Sequence, residues 1–120
     1  ALALDPANPV YHFNMAGVQE ELGKPQAAER HYRQAIALKP DLLYAYNNLA
    51  LLLEGQDRYD EAETLYKQAL GQDKDYVFAT LNLGNLYLQT QRWDEALAQF
   101  DKVLGSNHPI ALQGAGTVWL

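Results

Sequence analysis

Asparagine stands at positions 14, 48 and 82, and the interval of 34 residues carries its neighbours with it. Ala28, Ala62 and Ala96 keep the same spacing, as do Tyr32, Tyr66 and Phe100. Ala35, Ala69 and Val103 follow, and then Ile36, Leu70 and Leu104. A fixed period of this length predicts an all-α chain built as a stack of antiparallel helical hairpins, not one closed core. Such a stack has a surface lined by equivalent positions of successive repeats. A polar residue repeated there can read something that is itself regular, such as the backbone of another chain.

Each hairpin carries its own start and stop signals. Ala1, Leu2 and Leu4 lie 34 residues before Ala35, Ile36 and Leu38, so residues 1–8 read as the end of a preceding repeat. Asn8-Pro9 is a cap followed by proline at the first helical position. The first repeat, 9–42, has helix A from Pro9 to Leu22 and helix B from Pro25 to Leu38, with Gly23 at the corner. The second, 43–76, has helices Leu43–Glu54 and Tyr59–Leu70 around a turn at Gly55-Gln56-Asp57. The third, 77–108, has helices Val77–Gln89 and Trp93–Leu104. Residues 111–120 align with 79–88 at a spacing of 32, placing Gly116 on Gly84 and Leu120 on Leu88. Residues 109–120 are therefore expected to form the lone first helix of a fourth repeat.

These residues resemble the tetratricopeptide repeat (TPR) family across almost the whole chain. The second repeat supplies Tyr46, Leu49, Ala50, Ala62, Tyr66 and Ala69 to that pattern, and the third Leu83, Gly84, Tyr87, Trp93, Ala96 and Phe100. Met15, Ala16, Ala28, Tyr32, Ala35 and Pro40 serve in the first. His12 and Thr80 depart from it where the family often has an aromatic, and Lys74 and His108 where it often has proline. The resemblance implies a right-handed superhelical solenoid whose A helices line a concave groove. The inner positions are then Val10, Phe13, Asn14, Gly17 and Glu20; Tyr44, Asn47, Asn48, Leu51 and Glu54; and Phe78, Leu81, Asn82, Asn85 and Leu88. Asn14, Asn48 and Asn82 resemble the asparagine ladder of O-linked N-acetylglucosamine transferases, which implies contact with a bound peptide's backbone. A carboxamide suits that task because it both donates and accepts. Asparagine at this position can equally satisfy partners in the next repeat.

Charge narrows the ligand. All nine Lys and Arg (Lys24, Arg30, Arg33, Lys39, Arg58, Lys67, Lys74, Arg92 and Lys102) fall in B helices or turns. TPR domains that capture acidic C-termini use a carboxylate clamp of Lys, Asn and Arg in their A helices. The corresponding sites here read Phe13, Gly17, Asn48, Phe78 and Asn82, so only Asn48 agrees. An acidic peptide would meet no cation and would be repelled by Glu20 and Glu54. A neutral or mildly basic, partly apolar peptide is the expected protein partner.

Other functions find little support. A net charge of −6 disfavours nucleic acid, and aromatics without cations are a poor nucleic-acid surface. No apolar run approaches the roughly 20 residues needed to span a bilayer, so no direct membrane insertion is expected. No cysteine is present, and His12, His31 and His108 are scattered through different elements, so neither metal nor cofactor is expected. Asp60-Glu61 and Asp94-Glu95 resemble catalytic carboxylate pairs, yet each opens a B helix, where negative charge complements the macrodipole. An enzyme is not expected. Two further readings remain: a homo-oligomer assembled through terminal helices carrying Leu112, Val118, Trp119 and Leu120, or the recognition segment of a larger enzyme.

Overall fold

The computed structural model describes residues 7–104, which form six helices in three hairpins. They are α1 (Pro9–Glu21), α2 (Pro25–Leu38), α3 (Leu43–Glu54), α4 (Tyr59–Gln72), α5 (Val77–Gln89) and α6 (Trp93–Leu104). The stub expected before residue 7 and the lone helix expected at 109–120 lie outside the described residues. Each hairpin pairs an A helix with its B helix. Neighbouring hairpins then meet as α2 on α3 and α4 on α5, and α3 also touches α5 directly. A main cluster of buried side chains runs through all three hairpins, from Ala16 to Phe100, and Ala35, Leu42 and Ala45 form a second, smaller one.

Local chemistry sets the ends. The Asn8 carboxamide accepts from the Val10 backbone N–H at 2.9 Å, and Pro9 and Pro25 open their helices. At the corner inside each hairpin the chain turns through one left-handed residue: Gly23 (φ 73°), Asp57 (φ 61°) and Gln91 (φ 61°). The backbone N–H groups of Lys24, Arg58 and Arg92 reach back to the carbonyls of Gln19, Leu53 and Tyr87 at 2.8–2.9 Å. This is the six-to-one bond of a Schellman stop, repeated in register. The expected turn at 55–57 holds, but its left-handed residue is Asp57; Gly55 is right-handed and ends α3. Helix α4 also runs two residues past the expected Leu70, through Gly71.

Size complementarity holds the hairpins together. Ala16, Ala50, Ala28, Ala62 and Ala96 are fully buried, which lets the helices of each pair approach closely. Tyr32, Tyr66 and Phe100 fill the space that these small residues leave. At Gly84 there is no room for even a methyl group: a Cβ there would lie 2.9 Å from the Phe100 ring.

An ionic ladder, also in register, ties successive B helices together. Glu29 of α2 takes Arg33 of its own helix and Arg58 of the next hairpin, the latter at 2.7 Å. Glu63 of α4 repeats this with Lys67 at 2.9 Å and Arg92 at 2.7 Å. Arg58 and Arg92 then grip Glu61 and Glu95, three residues on. The first-turn carboxylates thus serve these arginines as well as the helix dipole. The spacings are legible in the sequence, since Glu29 and Glu63, Arg33 and Lys67, and Arg58 and Arg92 each differ by 34.

Candidate functional site

On an α-helix, positions i, i+3, i+4, i+7 share a face. Tyr44, Asn47, Asn48, Leu51 and Glu54 are such a stripe on α3, and corresponding stripes run along α1 and α5. Much of each stripe stays open. Val10, Tyr44, Leu51 and Phe78 are exposed, Phe78 most of all at 64%. Asn14, Glu20 and Asn85 are exposed too, while Gly17, Leu81 and Leu88 are half-buried. Phe13 is half-buried in an aromatic group, edge-on to Tyr44 at 4.4 Å between ring centroids and 5.8 Å from Tyr32.

The three asparagines of the 34-residue series have different surroundings. Asn14 is exposed. Asn48 is half-buried and its side chain approaches the Tyr32 hydroxyl of the preceding hairpin. Asn82 is half-buried and donates through Nδ2 to Asn47 Oδ1 at 2.9 Å, across the seam between α3 and α5. Asn47 itself is only 8% exposed. One N–H and the carbonyl of Asn82 are not used by that bond. The helical stripe shows which face these residues share. It does not show that Asn47 turns far enough into the seam to meet the following A helix.

The carboxylates of the stripe are held by tyrosines. Tyr32 donates to Glu20, and Tyr66 donates to Glu54. Gln89 Nε2 adds a bond to Glu54 at 3.2 Å. Burial raises the Glu54 carboxyl above its ordinary value, and the Tyr66 and Gln89 hydrogen bonds offset only part of that. Burial, reinforced by the Glu54 carboxylate, pushes the Tyr66 hydroxyl far up. No ion pair among the described residues involves Glu20 or Glu54. In the third hairpin the pair becomes Leu88 and Phe100, so hydroxyl and carboxylate vanish together. This pairing was available in the sequence register, where Glu20, Glu54 and Leu88 run in step with Tyr32, Tyr66 and Phe100.

Away from this face, His12 and His31 stack at 5.3 Å with their rings 28° apart, although they belong to different helices. His31 Nδ1 also lies 2.7 Å from Gln19 Oε1. Parallel stacking aims the ring faces, not the ring nitrogens, at each other. No group of three metal-ligating side chains occurs among the described residues. No helix among them is long and apolar enough to cross a membrane.

Comparison with known proteins gives a consistent picture. Two family models, both described as tetratricopeptide repeat, match residues 13–77 and 51–115. No curated protein matches. Among solved structures, the chain is 29% identical to one described as a functional characterisation of Pseudomonas aeruginosa pilF, with a TM-score of 0.83 over 98% of this chain. It is 26% identical to a tetratricopeptide repeat protein from Parabacteroides merdae, with a TM-score of 0.86 over 96% of this chain. It spans 55% of the first structure and 46% of the second. The first TPR of Spaghetti (RPAP3), bound to the HSP90 peptide SRMEEVD, shares the fold at 18% identity, a TM-score of 0.82 and 98% and 95% coverage of the two chains. The internal period, the register of small and large residues and the matching family models agree: this chain belongs to the tetratricopeptide repeat family.

Proposed function

We propose that the face formed by α1, α3 and α5 holds an extended, neutral or mildly basic and partly apolar peptide, making the chain a protein-interaction scaffold. Family membership supports the scaffold role. The observation that carries the ligand chemistry is the cation-free stripe. No Lys or Arg lies in α1, α3 or α5, while Glu20 and Glu54 do. The peptide bound by the RPAP3 domain is acidic, with two glutamates and an aspartate. The same peptide here would face carboxylates across a half-dry surface. Exposed Tyr44, Leu51 and Phe78 offer apolar contact, and the asparagines offer hydrogen bonds to peptide groups.

Magnitudes fix the expected strength. One carboxamide–backbone hydrogen bond nets about 1 kcal/mol, so Asn48 and Asn82 together account for roughly 2. Apolar side chains supply most of the rest, and affinity falls in the micromolar range, about −8 kcal/mol. The test is titration of a partner peptide against an Asn48→Ala, Asn82→Ala double variant. Affinity should fall about thirtyfold. Unchanged affinity refutes the groove. The domain organisation that goes with this reading is three complete repeats at 9–42, 43–76 and 77–108, flanked by parts of two others.

A further inference from the structure

The A-helix face is not uniform along the stack. Its first two hairpins present Glu20 and Glu54, and its third presents Leu88 in their place, with the exposed Phe78 and the half-buried Leu81 toward the other end of α5, roughly 15 and 10 Å away by helical rise. The substitution is coordinated, because Phe100 replaces Tyr32 and Tyr66 in the same repeat in which Leu88 replaces the glutamates. Glu54 is half-buried, and both its hydrogen-bond donors, Tyr66 and Gln89, are neutral. A carboxylate removed from water without a cation keeps most of its unbalanced charge.

We infer that this face takes a peptide of fixed polarity: a Lys or Arg side chain seated on Glu20 and Glu54, and a large apolar side chain seated on Phe78 and Leu81, which are neighbours one turn apart on α5. The inference rests on the proposed groove and specifies its occupant. Charge complementarity selects the first half, since a guest ammonium or guanidinium meets two carboxylates and no competing cation. Exposed apolar area selects the second. Packed helices lie about 8–10 Å apart, so the three A helices span roughly 20 Å, the reach of six or seven extended residues. The motif is therefore short, with basic and apolar ends separated by a few residues. The backbone between them runs past Asn48 and Asn82.

A positional-scanning library of synthetic heptapeptides, read by fluorescence anisotropy, tests this. Expected is enrichment of Lys and Arg in one half of the peptide and of Leu, Phe and Trp in the other. A Glu20→Gln, Glu54→Gln variant should erase the basic preference and weaken the best peptide about tenfold, with apolar selection unchanged. Glutamine retains an acceptor oxygen for the tyrosine hydroxyls. A second arm leaves the protein untouched: acetylating the peptide's lysines should cause a similar loss, and so should raising the salt concentration. Binders without basic enrichment, or an enrichment indifferent to both arms, overturn the inference. If such binders still lose affinity with Asn48→Ala, Asn82→Ala, the groove itself stands. If they do not, the groove reading fails too.

Discussion

At the scale of single residues, Gly84 lies hard against the Phe100 ring. The first two hairpins tolerate Ala16 and Ala50 at this position, so alanine looks harmless in a sequence comparison. The geometry says otherwise. An added Cβ would sit 2.9 Å from two atoms of a buried aromatic ring, which cannot swing away as a flexible chain end would. Overpacking costs about 1–3 kcal/mol. Alanine regains about 1 kcal/mol of helix propensity over glycine. Gly84→Ala should therefore lose about 1 kcal/mol net and lower the Tm by several degrees in thermal denaturation. An equal or higher Tm would show that α5 and α6 slide apart freely. The sequence register identified the small and large partners correctly. It could not reveal how little room the glycine site leaves, because that depends on fractions of an ångström in helix separation.

At the scale of elements, the ionic ladder joins each B helix to the next. Glu63 is its most heavily used member. Burial pushes its carboxyl up, but Arg92, Lys67 and the Tyr87 hydroxyl together hold it down at about 2, against an ordinary 4.5. A carboxyl lowered in the folded state adds stability that is complete above its unfolded value and fades as acid protonates it. Unfolding by urea should therefore become easier between pH 4.5 and about 2. Glu63→Gln should remove much of that slope and cost about 1–3 kcal/mol at neutral pH, because Tyr87 and Arg92 keep only one acceptor between them. A variant with the full wild-type slope would place the acid sensitivity elsewhere. Element boundaries were largely legible: α2, α3, α5 and α6 begin and end at the expected residues. Pro25 at the start of α2 and the 34-residue frame for the others explain this success. The extension of α4 was not legible, because Gly71 is a stop signal in isolation and only its context keeps it helical. The contacts of the candidate face were less legible than its position. Helical periodicity identified the stripe, whereas the Asn47–Asn82 bond needs the rotation of two helices about a shared seam.

At the scale of the whole molecule, each hairpin touches only its neighbours, so stability is close to a sum of hairpin and interface contributions. Damage should stay near its source. Hydrogen exchange by mass spectrometry on Gly84→Ala should show protection falling first in α5 and α6, less in α3 and α4, and least in α1 and α2. A uniform fall across all six helices would mean that the chain opens as one cooperative block. The same locality lets the three hairpins differ in chemistry on their open face while sharing one frame. The frame is what the amino-acid pattern announces most clearly. The specialisation of each hairpin has to be read from partners lying 12 to 35 residues apart.

The corners at Gly23, Asp57 and Gln91 keep one backbone conformation without keeping one residue type. A left-handed turn that aspartate and glutamine adopt at some cost is imposed by the helices it joins. Bends of this kind are expected to close late, once their flanking segments have docked. Glycine placed at 57 or 91 would then leave the refolding rate alone and retard the unfolding rate. The route to the native state would be governed by helices meeting, with the bends closing behind them.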